Sequence, residues 1–174
     1  MVTETHAAAM ADMDALILLG RRTFIETYKG MGDVRPDGLE EQYGLETFNY
    51  EKLEAVLAGT GLAAAVHFEM GTVDGRPVGY MRLDFECSMA HLTQAYVLKE
   101  FKGLGLGTQF IERARQLARE RGYGILRVAI YDKNAAALRF YRKMGFVEVG
   151  HQPWTFYYKG SEYADNDVVM SLPL

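Results

Sequence analysis

Three glycines alternate in the run Lys102-Gly103-Leu104-Gly105-Leu106-Gly107. Such spacing lets the backbone adopt positive φ and leaves no Cβ between the amides and a ligand. The run lies between a strand-like stretch, His91 to Leu98, and an amphipathic helical one, so its N–H groups gather at the positive end of a helix dipole. The chemistry on offer is anion binding, and the geometry suits a pyrophosphate. Two nucleotide readings fail on spacing. A Walker loop needs Gly-Lys-Ser/Thr after four spacer residues, and none occurs. The dinucleotide fingerprint drops its third glycine on Thr108 or on Phe110, depending on the glycine it starts from. Coenzyme A, with its pyrophosphate and 3′-phosphate, is a third reading, and a purely structural tight turn is a fourth.

Other residues able to move protons are scattered. Tyr141, beside Phe140 on a helical stretch, is by type either a core aromatic or a proton donor, since a phenol of pKa near ~10 stays protonated at neutral pH. Glu26, Asp84, Glu86 and Glu162 are carboxylates near the ends of elements, each with an ordinary surface role as its alternative. The one cysteine, Cys87, forms no internal disulfide, and the four histidines are too dispersed for a metal site.

The elements that would position these residues are legible in outline. Apolar residues at helical spacing predict a first helix from Ala7 to about Tyr28. A turn-rich segment, Gly30 to Gly38, follows, then a short amphipathic helix over Tyr50–Leu57 closed by Gly59 and Gly61. Leu62 to Val73 and Pro77 to Phe85 read as strands joined at Asp74-Gly75, a hairpin signal. After the glycine run, Phe110, Ile111, Ala114, Leu117 and Ala118 mark one face of a helix that ends at Gly122. Ile125–Tyr131 is a strand, Asn134 caps a further helix that stops at Gly145, and Phe146–Val149, Thr155–Tyr158 and Val168–Leu172 read as short strands. Helices, strands, helix, strand, helix, strands: the class is α/β with a mixed sheet.

Composition sets the frame. The 174 residues fit one domain, 1–174, with 49% apolar and 24% charged residues, as in ordinary globular proteins. A net charge of −4 disfavours nucleic acid as a partner. No apolar stretch approaches the ~18 residues of a membrane span, and no secretory signal opens the chain, so the expectation is a cytoplasmic protein without a membrane partner.

Two segments resemble the GCN5-related N-acetyltransferases. Tyr96 to Gly107, YVLKEFKGLGLG, is similar to that family's motif A: Lys102 stands at its basic position, where Gln or Arg is usual, and Gly105 and Gly107 at its glycine positions. Asn134, Ala137, Tyr141, Gly145 and Phe146 fall on the marked positions of its motif B. The resemblance implies a mostly antiparallel sheet flanked by helices and splayed between its fourth and fifth strands, with acetyl-CoA as cosubstrate. By that resemblance Tyr96, Val97 and Leu98 offer free backbone groups to the pantetheine arm, and the Val97 N–H polarises the thioester carbonyl. Lys102, Gly103, Leu104, Gly105, Gly107 and Thr108 surround the pyrophosphate. Asn134, Phe140 and Lys143 line the coenzyme, and Tyr141 protonates the leaving thiolate. Glu26 leads the candidates for proton acceptor, because the first helix borders the acceptor groove in this family.

The implied acceptor is a primary amine of a small molecule. Arg22–Tyr28 (RTFIETY) and Phe156–Met170 are similar to the opening and ending of bacterial relatives that acetylate polyamines such as spermidine. Trp154, Tyr157, Tyr158 and Tyr163 offer cation–π surfaces for an amine. A peptide or protein N-acetyltransferase and a non-catalytic coenzyme A-binding domain are the alternatives. Relatives commonly form homodimers through their C-terminal strands.

Overall fold

The computed structural model describes residues 1–31, 38–59 and 65–174. The elements run β1 (Thr3–Ala7), α1 (Met13–Tyr28), α2 (Leu39–Thr47), α3 (Tyr50–Leu57), β2 (Val66–Val73), β3 (Arg76–Phe85) and β4 (Ala90–Val97), then α4 (Leu106–Glu120), β5 (Ile125–Tyr131), α5 (Ala135–Lys143), β6 (Val147–Tyr158) and β7 (Ser161–Pro173). All seven strands form one sheet in the order β1-β2-β3-β4-β5-β7-β6. Every pairing is antiparallel except β4–β5. The α/β class and the mixed, mostly antiparallel sheet are therefore as expected.

Each face of the sheet carries its own core. Met81, Leu83, Leu92, Leu126, Val128, Ile130 and Met170 pack under α4 and α5 with Phe110, Ile111, Ala114 and Leu138. On the other face Phe68, Met70, Val78 and Tyr80 pack under α1 and α3 with Leu16, Leu19, Phe48 and Leu53. Alternation along β3 and β4 feeds both cores, which is why these central strands are apolar on both faces.

The differences from the sequence reading concentrate at the edges. The expected first helix starts later, at Met13, because Thr3–Ala7 pairs with β2 from Thr3 opposite Val73 to Ala7 opposite Glu69. The three short tail strands are really two long ones, β6 and β7, paired from Val147↔Ser171 to Tyr158↔Ser161. Both β1 and β6 are edge strands, so half of their backbone groups meet solvent and a polar sequence suffices; β6 even carries Pro153. Helix α2, sequence LEEQYGLET, lacks an apolar stripe and went unforeseen. The expected strand over Leu62–Val73 is seen from Val66; its residues 62–64, like Gly61 and most of the Gly30–Gly38 turn, lie outside the described residues. Asp74-Gly75 does turn the hairpin, with φ of 48° and 77°. No helix among the described residues is long and apolar enough to cross a membrane.

Candidate active site

The parallel pair β4–β5 is joined at one end only, by Ala90 opposite Leu126 and His91 opposite Arg127. Beyond that foot the strands diverge, and the β5-facing groups of β4 have no ladder partner. Leu98 N–H donates to Val78 C=O of β3 (2.9 Å). Backbone groups alternate sides along a strand, so the N–H of Val97 faces away from β3 and into the opening. This is the amide that the family resemblance puts forward for the thioester carbonyl, and Tyr96 and Leu98 flank it.

A 3₁₀ turn over Lys99–Phe101 carries the chain from β4 to the glycine run. Gly105 caps α4 at φ 92°, a conformation open to glycine at little cost, and a Cβ there would meet nothing within 4 Å. The first ladder bond into α4 runs from Gln109 N–H to Gly105 C=O (3.1 Å). The amides of Leu106, Gly107 and Thr108 therefore precede the ladder and point out of the helix end. Gly107 has a second reason: a Cβ there would lie 3.2 Å from Phe140 Cζ, so the absence of a side chain lets α4 approach α5. Lys102, Gly103 and Thr108 are exposed around this helix end, Leu104 packs on the α1-side core, and Lys143 is exposed at the end of α5. Bare amides, a dipole and space form a cradle that suits the pyrophosphate of coenzyme A.

Helix α5 carries Tyr141, a member of the core cluster against which Val97 packs. Asn134 caps this helix as expected, its Oδ1 accepting from Ala137 N–H (3.1 Å). Tyr141 is buried edge-on against Phe146, with ring centroids 5.3 Å apart. Burial pushes its phenol well above the ordinary tyrosine value, and the nearby Tyr28 hydroxyl adds to the effect. The group thus holds its proton throughout the neutral range.

Tyr28 is one of two aromatics at this site whose place the sequence did not reveal. It ends α1, and its hydroxyl is 2.9 Å from that of Tyr96 on β4. Its ring centroid lies 6.3 Å from that of Tyr131 on β5. Helix α1 therefore reaches both arms of the splay. Each residue looked like an aromatic closing its own element, and only the tertiary approach unites them.

The carboxylates are dispersed. Glu26 uses both oxygens: Oε1 accepts from Arg22 Nε (2.7 Å) and Oε2 from the Lys99 backbone N–H (3.2 Å). Arg22 also donates to Glu100 (2.7 Å), so the cluster ties α1 to the 3₁₀ turn that precedes the glycine run. Asp84 is bound by Arg82 Nε (2.8 Å), Glu86 faces His91 (3.5 Å), and Glu162 takes a hydrogen bond from Tyr157 near the β6–β7 turn. Tyr157 is 73% exposed, whereas Trp154, Phe156 and Tyr163 pack along the hairpin and Tyr158 is buried.

Comparison with known proteins fits this geometry. Residues 36–146 match the model of the acetyltransferase (GNAT) family. The chain belongs to that family. An uncharacterised N-acetyltransferase of Lactobacillus delbrueckii subsp. lactis is 28% identical over 142 residues, which cover 77% of this chain and 78% of that one. An uncharacterised N-acetyltransferase of Methanocaldococcus jannaschii is 31% identical over 83 residues, which cover 44% of this chain and 37% of the relative. Among solved structures, the PaiA N-acetyltransferase of Thermoplasma acidophilum in complex with coenzyme A superposes with a TM-score of 0.82 at 20% identity, both chains covered in full. The family model spans β4, the glycine run, α4, β5 and α5, the elements that frame the opening.

Proposed function

We propose that the chain is an acetyl-CoA-dependent N-acetyltransferase that acylates a primary amine of a small molecule by direct attack within a ternary complex. The observation that carries this reading is the packing of Val97, whose amide faces the opening, against the cluster that holds the buried, protonated Tyr141. A helix end with bare amides lies beside them. Acetyl-CoA supplies the activated thioester. The Leu106, Gly107 and Thr108 amides hold the pyrophosphate, with Lys102 adding charge, and Asn134, Phe140 and Lys143 line the coenzyme. Val97 N–H steadies charge developing on the carbonyl oxygen. Tyr141 gives its proton to the departing sulfur.

Glu26, the proton acceptor expected from sequence, already serves Arg22 and the Lys99 amide. We assign it to holding the turn ahead of the glycine run, with the amine's proton leaving through water. The acceptor approaches on the α1 face, beside Tyr28, Tyr96 and Tyr131. The reading sets a single catalytic domain in the cytoplasm, and polyamines such as spermidine stand in its acceptor panel with other alkylamines.

Thiol release from acetyl-CoA across an amine and peptide panel tests the reading. Turnover of small amines is expected, with kcat for Tyr141→Phe lowered about 10²-fold or more and coenzyme binding retained. Coenzyme A binding without turnover of any amine would favour a binding domain, and turnover of peptides alone would favour a protein acetyltransferase.

A further inference from the structure

A row of polar residues crosses the sheet at the closed foot of the splay. Register places Asp84 beside His91, His91 beside Arg127, and Arg127 beside Ser171. Register partners share a face. Leu126, Val128, Met170 and Leu172 point into the α4–α5 core, so the row lies on the opposite face, that of the acceptor. Two of its members have partners, Asp84 in Arg82 and His91 in Glu86.

Arg127 is different. Among the described residues no carboxylate pairs with it, and its Nε is buried without an acceptor. Its neighbour Ser171 is 9% exposed, and its Oγ has no partner either. Two orphaned polar atoms on register partners are unusual, since buried polar groups are generally satisfied. Arg127 is itself partly exposed, so water reaches its guanidinium, but only an anion supplies an acceptor and an opposite charge together. A carboxylate would complete both. The row opens to solvent on its far side, where Val147, opposite Ser171, is 56% exposed. Towards the reaction centre, Tyr131 stands four residues up β5, about 13 Å of extended strand.

We propose that the foot of the splay is an anion subsite in which Arg127 and Ser171 hold the carboxylate of an amino-carboxylate acceptor whose amine reaches the head of the splay. The proposal rests on the amine-acetylating reading above and narrows its acceptor to a compound with an anionic end, unlike a polyamine. The test compares acetyl transfer to ω-amino acids of graded length, 6-aminohexanoate among them, with transfer to their carboxamides and to spermidine. The carboxylates are expected to lead by about ten-fold in kcat/KM, the worth of one charge-assisted hydrogen bond, at a preferred chain length. That lead should vanish in Arg127→Met and shrink in Ser171→Ala. Equal rates for acid and amide, a preference for spermidine, or a lead that survives Arg127→Met would overturn the subsite.

A second readout does not need turnover. 6-Aminohexanoate should raise the melting temperature of the wild type and not that of Arg127→Met, which itself should melt no lower than wild type because it loses an unpaired cation. A marked drop in melting temperature for Arg127→Met, without loss of the ligand-induced shift in Ser171→Ala, assigns the row to structure and sinks the proposal. A ligand shift without turnover of any amine keeps the subsite and removes the acetyltransferase reading. Turnover with neither shift nor carboxylate preference does the reverse.

Discussion

At the scale of single residues, Glu26 separates two chemistries. A general base loses its function when its carboxylate becomes an amide, typically by 10² or more in rate, and the acid limb of the pH profile goes with it. A group that holds the Lys99 N–H keeps that bond as glutamine, because the amide oxygen still accepts; the acceptor facing Arg22 is lost, and Arg22 retains Glu100. Glu26→Gln is therefore expected to keep kcat within about three-fold and to leave the pH profile in place. Glu26→Ala, which frees the turn before the glycine run, should raise the KM for acetyl-CoA with a smaller effect on kcat. Steady-state kinetics across pH on both variants makes the comparison, and a collapse of the acid limb in Glu26→Gln would return the residue to the role of base. The glycine run and the helix that carries Tyr141 were legible in sequence because their spacing is local. The partners of Glu26 were not, since Lys99 lies 73 residues away and meets it only through the packing of α1 on the sheet.

The same divide between local and distant contacts runs through the elements. Helices α4 and α5 and strands β2 to β5 announce themselves by apolar periodicity, because each is buried on at least one face. Edge strands β1 and β6 and helix α2 carry no such pattern, since their outer faces meet water and their order comes from neighbours. Gly20 shows how strict those neighbours are. A Cβ at this position of α1 would lie 2.2 Å from the Phe48 ring, and Phe48, at the end of α2, is 1% exposed. Arg21 fixes the same junction by donating to the Phe48 carbonyl from Nε (3.0 Å) and from Nη2 (2.7 Å). Alanine favours helices over glycine by roughly 1 kcal/mol, so propensity alone predicts that Gly20→Ala stabilises. Overpacking of a buried ring costs more, and the net expectation is a loss of about 2 kcal/mol, read as a lower urea midpoint with an unchanged slope. A rise in the midpoint would show that α2 can retreat from α1 at little cost.

For the whole molecule, the splay opens the middle of the sheet and fills its α1 side with tyrosines in place of a backbone ladder. Tyr80, Tyr96 and Tyr141 are each pushed above the ordinary phenol value, chiefly by burial, and Tyr28 adds to the rise at all three. The sign of the consequence follows from linkage. A phenol with a folded pKa above its unfolded one is held protonated by the fold, so its contribution is complete below about pH 10 and is lost as pH rises through the folded value. Each such tyrosine steepens the fall by up to about 1.4 kcal/mol per pH unit, and three together by about 4. Stability in urea should therefore be insensitive to these groups from pH 7 to 9 and drop steeply above about pH 10, with phenolate absorbance appearing along the unfolding transition. Tyr141→Phe should remove about a third of that alkaline slope without moving the neutral plateau in the opposite direction to its packing loss. Phenolate that forms gradually in the folded protein near pH 10 would mean that water enters the splay freely, and the protonated state of Tyr141 would then need a cause other than burial.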